Sequence, residues 1–168
     1  MSDICINEMV REVVKTEVDK YLKELGFPVK EEKVGFEDDE IFLLSTEEHK
    51  KYKNIIPKIN CWWWLRSPGN NSYLASQVSI DGFVFNYGST VSCSNVAVRP
   101  VLKISDYEAL NLRLEERFVK YDFPWIYLGD NLAIAEVPIS FGKFDDKSND
   151  YKNSYVRRSL KQWVEMRK

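Results

Sequence analysis

Between Cys61 and Ile104 the chain carries only four charged residues, Arg66, Asp81, Arg99 and Lys103, and this stretch opens on three consecutive tryptophans, Trp62, Trp63 and Trp64. Successive side chains of a strand point to opposite faces, so three adjacent tryptophans cannot share one surface. Either Trp63, or Trp62 together with Trp64, belongs to a core. Leu65 and Arg66 lead into Ser67-Pro68-Gly69-Asn70, turn chemistry that stops an apolar strand. Beyond it Ala75, Val78, Ile80, Val84 and Val91 alternate with small polar or aromatic residues, with turn signals at Asp81-Gly82 and Tyr87-Gly88. Short, twisted strands with elaborate loops follow from this pattern. Arg66 and Arg99, cations in an apolar setting, are expected as braces held by carbonyls or a carboxylate.

The flanks are more conventional. From Ile6 the apolar residues Met9, Val10, Val13, Val14, Val18, Tyr21, Leu22 and Leu25 fall at helical spacing, and Gly26 with Pro28 ends the run. Such a stripe is expected to pack on the body of its own chain; its near-heptad spacing makes pairing with a second copy, as a homo-oligomer, the alternative. Val29 to Glu40 is dense in charge and reads as a linker or solvated loop. Ile41–Leu44 predicts a strand, Ser45 the cap of a short helix Thr46–Tyr52, and Val98–Ile104 a strand at an edge or bulge because of Pro100. Tyr107–Phe118 carries helical signals. Trp125–Leu128 and Leu132–Val137 read as strands around a turn at Gly129-Asp130-Asn131, and Tyr155–Arg167 as a helix capped by Asn153 or Ser154. The division expected is an N-terminal amphipathic helix, residues 1–27, and a domain over residues 28–168.

Several functions are disfavoured. The formal charge is -2, with 24 basic and 26 acidic residues mixed along the chain, so no basic stripe is present to track nucleic acid. Neither a membrane span nor a signal peptide is recognisable, which makes the cytoplasm the expected location. Three widely spaced cysteines, Cys5, Cys61 and Cys93, are expected as reduced thiols, and one histidine without a CxxC pair cannot assemble a zinc site. His49, beside Lys50 and Lys51, reads as a solvated surface residue with no triad around it. Phosphate-binding loops are absent, Asp145, Asp146, Asn149 and Asp150 read as a solvated turn, and no cofactor, metal or catalysis is expected.

What remains in the charge-poor segment is a mixture of Tyr, Phe, Ser and Asn with the composition of a paratope, where aromatics supply area at low entropic cost and small amides adapt. The expected partner-binding residues are Asn71, Ser72, Tyr73, Gln77, Ser79, Phe83, Phe85, Asn86, Tyr87, Ser89 and Ser92. The ligand expected is a protein, with no direct contact to nucleic acid or membrane.

The motif Trp63 to Gly69, WWLRSPG, followed by Ala75, Val78, Asp81-Gly82, Val91 and Val98-Arg99-Pro100 with Leu102, resembles a family of mostly uncharacterised Firmicutes and bacteriophage domains ending in GVRPAL. Those domains are similar to the C-type-lectin-like fold shared by formylglycine-generating enzymes and by the variable proteins of diversity-generating retroelements. The resemblance implies an α+β domain of short twisted strands with flanking helices and a variable loop surface. Ala97 stands where the family usually has glycine, and Val101 where it has alanine. Phe123 to Trp163 looks like the opening half of such a module placed after its closing half, which implies a permuted or fused order. The cysteine pair of the formylglycine-generating enzymes has no match, since Pro100 follows Arg99, so the resemblance does not carry oxidase activity. The reading is thus a non-catalytic protein-binding module. The alternatives are a phage-encoded inhibitor of a host defence nuclease of anti-CRISPR type, acting on a host protein in the host cytoplasm, and, more distantly, an enzyme of the formylglycine-generating type.

Overall fold

The structure, a computed structural model, describes residues 3–27 and 34–168, and the chain divides into two units, Met1–Val34 and Gly35–Lys168. Much of the charged segment expected as a linker, residues 28–33, lies outside the described residues. Among the described residues the first unit holds one helix, α1 (Asp3–Glu24). Gly26 ends it at φ +81°, donating to Lys23 O while the Phe27 N–H reaches back to Leu22 O at 3.0 Å. This double closure with a left-handed glycine is the Schellman motif, and Gly26 supplies the conformation no L-residue adopts cheaply. Val10, Val13, Val14, Val18, Tyr21 and Leu25 are exposed.

The second unit is built on two five-stranded sheets. One is antiparallel throughout and runs β1 (Ile41–Phe42), β6 (Val101–Lys103), β9 (Leu132–Ala135), β8 (Phe123–Gly129), β7 (Arg117–Lys120). The other runs β10 (Ser140–Phe141), β5 (Ala97–Val98), β2 (Trp63–Pro68), β3 (Leu74–Val78), β4 (Val84–Thr90), with β2 and β5 parallel and the remaining pairs antiparallel. Helices α2 (Thr46–Tyr52), α3 (Asp106–Ala109) and α4 (Tyr155–Glu165) complete it. The mixed α+β class with an N-terminal helix is therefore what the chain forms.

One core draws on both sheets and on α4: Ile41, Trp64, Val98, Leu102, Trp125, Phe144 and Leu160 are all buried in the same cluster. Trp63 and Trp64 are both buried, and Trp62 is 41% exposed. The expected alternation fails because β2 lies inside its sheet with both faces covered, and Trp62 precedes the strand. Ser45 caps α2 as expected, with a full capping box to Glu48. Asp130 and Asn131, at φ +55° and +59°, form the expected tight turn between β8 and β9.

Four expectations are corrected. Val98–Ile104 is not one edge strand: the chain passes from one sheet to the other at Arg99-Pro100, and both β5 and β6 are interior strands. Pro100 lacks an N–H and cannot continue a ladder, so the break in pairing falls there. Tyr107–Phe118 forms only the four-residue α3; the segment then turns at Glu115 (φ +67°) and Arg117–Lys120 pairs with β8. The hairpin turn at Tyr121 and Asp122, both left-handed, outweighs the helical spacing. Tyr87-Gly88 is no turn between strands but a bulge within β4, where the register against β3 shifts between Ala75 and Gln77. Finally, Asp39, placed by its sequence surroundings in a solvated loop, is buried and paired with Arg157.

Candidate functional site

Strand β4 is the outer strand of its sheet, and among the described residues no strand pairs with its far side. The Ser79 N–H donates to Phe83 O at 2.9 Å to close the β3–β4 hairpin, and Phe85 stands opposite Gln77. Antiparallel geometry therefore turns the backbone groups of Phe83 and Phe85 inward and those of Val84 and Asn86 outward, to the open edge. Gly82 (φ +84°) makes the hairpin tip possible. Gly88 makes the bulge possible, since a Cβ there would meet Ala75 O at 2.7 Å.

The rings of this edge form a connected exposed group. Trp62 meets Phe85 edge-on with centroids 5.9 Å apart, and Phe85 lies 6.1 Å from Tyr87. Phe85 is 42% exposed, Tyr87 57% and Phe83, at the hairpin, 74%. Aromatic side chains in the water at an unpaired sheet edge constitute an apolar patch of the kind that marks interaction sites.

The expected binding residues separate into groups. Phe83, Phe85, Asn86 and Tyr87 are brought together on β4 and its hairpin. Asn71, Ser72 and Tyr73 are exposed on the loop between β2 and β3, whose position is fixed by Asn149 donating to Asn71 O at 2.8 Å. Ser92 is exposed beyond β4, while Ser79 is half-buried, its Oγ accepting from the Phe83 N–H. Gln77 is corrected outright: it is buried in β3, accepts from the half-buried Ser89 Oγ at 2.9 Å, and leaves its Nε2 without a partner. Its polar character suggested a surface, but β3 is covered on both faces. Trp62 was the residue sequence reasoning missed as surface. Three identical neighbours give no signal as to which lies outside the strand.

Behind the edge lies a brace. Arg99, fully buried, donates from Nε to Ala135 O and from Nη1 to Pro57 O, each at 2.8 Å, and its guanidinium stands 5.2 Å from the Trp63 ring. Arg66 is held by Leu43 O, Gly35 O and the Glu48 carboxylate. Both arginines are the framework residues expected. His49 contradicts its sequence reading: it is 4% exposed and tilts against Trp63 at 5.6 Å. The second turn of α2 faces the sheet at that position, so the neighbouring lysines do not report its environment. Burial, with Arg99 and Lys53 nearby, depresses its pKa to about 4, so the ring is neutral at ordinary pH. Burial also lowers Arg99 to about 10, which leaves it charged.

Of the thiols, Cys61 and Cys93 are free and half-buried, and burial pushes Cys61 above its usual range, away from reactivity. Among the described residues no group of His, Cys, Asp or Glu is clustered to hold a metal, and no helix is long and apolar enough to cross a membrane.

A family model described as "Domain of unknown function (DUF6273)" matches residues 16–106, which include α2, β1 to β6 and the aromatic edge. No curated protein and no solved structure matches the chain.

Proposed function

We propose that this chain, which belongs to the DUF6273 family of domains of unknown function, is a non-catalytic protein-binding module that engages its partner through β4 and the rings around it. The observation that carries the reading is the connected exposed group Trp62, Phe85 and Tyr87 on an unpaired strand edge. A protein suits that edge better than a small molecule. Its extended backbone offers hydrogen bonds to Val84 and Asn86, while its side chains cover the rings. Asn86 and the loop residues Asn71, Ser72 and Tyr73 would supply adaptable polar contacts at the rim.

The same proposal takes the fold as C-type-lectin-like with permuted order. Residues 107–168, outside the family match, contribute β9 beside β6 and β10 beside β5, so the C-terminal segment completes both sheets that the matched region begins. Pairing of the exposed stripe of α1 with a second copy is part of the same reading.

Site-directed photocrosslinking tests the face. A photoreactive phenylalanine analogue in place of Tyr87 is expected to capture a discrete protein from a cell extract, while the same group in place of the exposed Tyr107 captures none. Equal labelling from both positions refutes the proposed face.

A further inference from the structure

A cleft of about 750 Å³ opens between α2 and the β3–β4 hairpin, on residues distinct from the Trp62, Phe85 and Tyr87 rings. Three lysines line it: Lys50 and Lys53 from the end of α2, and Lys58 from the segment that follows. None of the three makes an ion pair among the described residues, whereas Lys51, on the same helix, is paired with Asp130. Two carboxylates, Glu47 and Asp81, also lie on the cleft, so the lysines outnumber them.

Beneath this surface lies a further cation without an ion-pair partner among the described residues. Arg99 is buried with no carboxylate partner; its Nη1 is bound to the carbonyl of Pro57, a wall residue of the cleft, and its Nη2 has no partner. His49, also on the wall, is more than nine-tenths buried, and its Nδ1 has no hydrogen-bond partner. Buried polar groups are almost always satisfied, so an orphan of this kind on a cavity wall is a position where a water or a ligand's polar atom completes the hydrogen bonding. The apolar part of the wall is supplied by Val84, Ile56 and the largely exposed ring of Phe83.

We infer that this cleft binds a small organic anion. Its phosphate or carboxylate group is held by Lys50, Lys53 and Lys58, its apolar or ring-bearing body rests on Phe83 and Val84, and His49 contributes a polar contact at the floor. The lysines of the cleft form no ion pair among the described residues and exceed its carboxylates by one, so an anion is drawn to them and to the positive charge of Arg99 behind the wall. Phosphate and carboxylate share this chemistry. A cleft of this volume takes a molecule of nucleotide size or smaller.

Protein-observed NMR titration tests the assignment with two anions, adenosine monophosphate and benzoate, and their neutral counterparts, adenosine and benzamide. At least one anion is expected to bind saturably and to shift the His49 ring resonances. Its neutral counterpart should bind roughly tenfold more weakly or not at all. The double variant Lys53→Glu, Lys58→Glu should weaken the anion by roughly tenfold or more, while Lys147→Glu, outside the cleft, leaves it unchanged. The charge reversals are on exposed side chains, and an unaltered amide spectrum establishes that the variant is folded. Absence of saturable binding by both anions, equal binding of the neutral compounds, or indifference to the charge reversals each overturns the assignment. A preference for one anion over the other identifies which acid group the lysines read.

Discussion

The guanidinium of Arg99 stands 5.2 Å from the centre of the Trp63 ring, and both side chains are buried. Trp63 thus covers a cation that has carbonyls but no carboxylate for partners, and Arg99 in turn ties Ala135 of one sheet to Pro57 beside the other. Replacing Trp63 with Ala opens a large cavity and uncovers the charge; the expected cost is about 3 to 5 kcal/mol. Arg99→Ala leaves two carbonyls unpaired, at about 1 to 3 kcal/mol. Denaturant unfolding reads both, and an unchanged midpoint in either variant removes that residue from the framework.

Arg157 donates from Nε and Nη2 to the two oxygens of Asp39 at 2.8 and 2.9 Å, joining α4 to the segment ahead of β1. Burial alone would raise the Asp39 carboxyl, but this forked pairing, together with Lys161, holds it below its usual range. Arg157→Ala leaves the buried Asp39 carboxylate with only the exposed Lys161 ammonium, at 3.3 Å, and is expected to cost about 3 kcal/mol, whereas replacing Asp39 and Arg157 together with apolar residues recovers most of that loss. A double variant no more stable than the single one contradicts this account of the pair.

His49 gives stability a definite pH dependence. Its folded pKa, about 4, is below the ordinary 6.5, so between these values the unfolded chain binds a proton that the folded chain excludes. Stability therefore falls as pH drops from about 6.5 toward 4, by at most about 3 kcal/mol from this group, and the contribution levels off below that. The lowered carboxyls of Asp39 and Asp145 contribute a further loss in more acid solution. Measured by denaturant titration at a series of pH values, a His49→Gln variant should lose the slope in the upper window. An identical slope in that variant assigns the dependence to other groups.

The elements that could be read from the sequence were those with a local cause. Ser45 and Ser154 cap their helices through their own side chains, and Asp130 and Asn131 are residue types that favour left-handed backbone at a tight turn. The elements misread were decided by pairing across the chain. Arg117–Lys120 is a strand because β8 lies beside it, and Pro100 marks a change of sheet because β6 finds β1 and β9. The site shows the same division. Phe83 and Phe85 follow from the Asp81-Gly82 turn signal, while the exposure of Tyr87 belongs to a bulge and not to the turn its sequence suggests; the burial of Gln77 and His49 depends on what covers them, and the exposure of Trp62 on where β2 begins.

The central claim is that the rings on β4 are exposed for binding and not for stability. The most direct measurement is a paired one on Phe85→Ala, Tyr87→Ala and the double variant: thermal unfolding, and affinity for the protein captured by crosslinking at position 87. We expect unfolding within about 0.5 kcal/mol of the parent, as for surface positions, together with a loss of more than about 1 kcal/mol in binding for each single change. Variants that unfold before they lose affinity, or that bind as the parent does, contradict the claim.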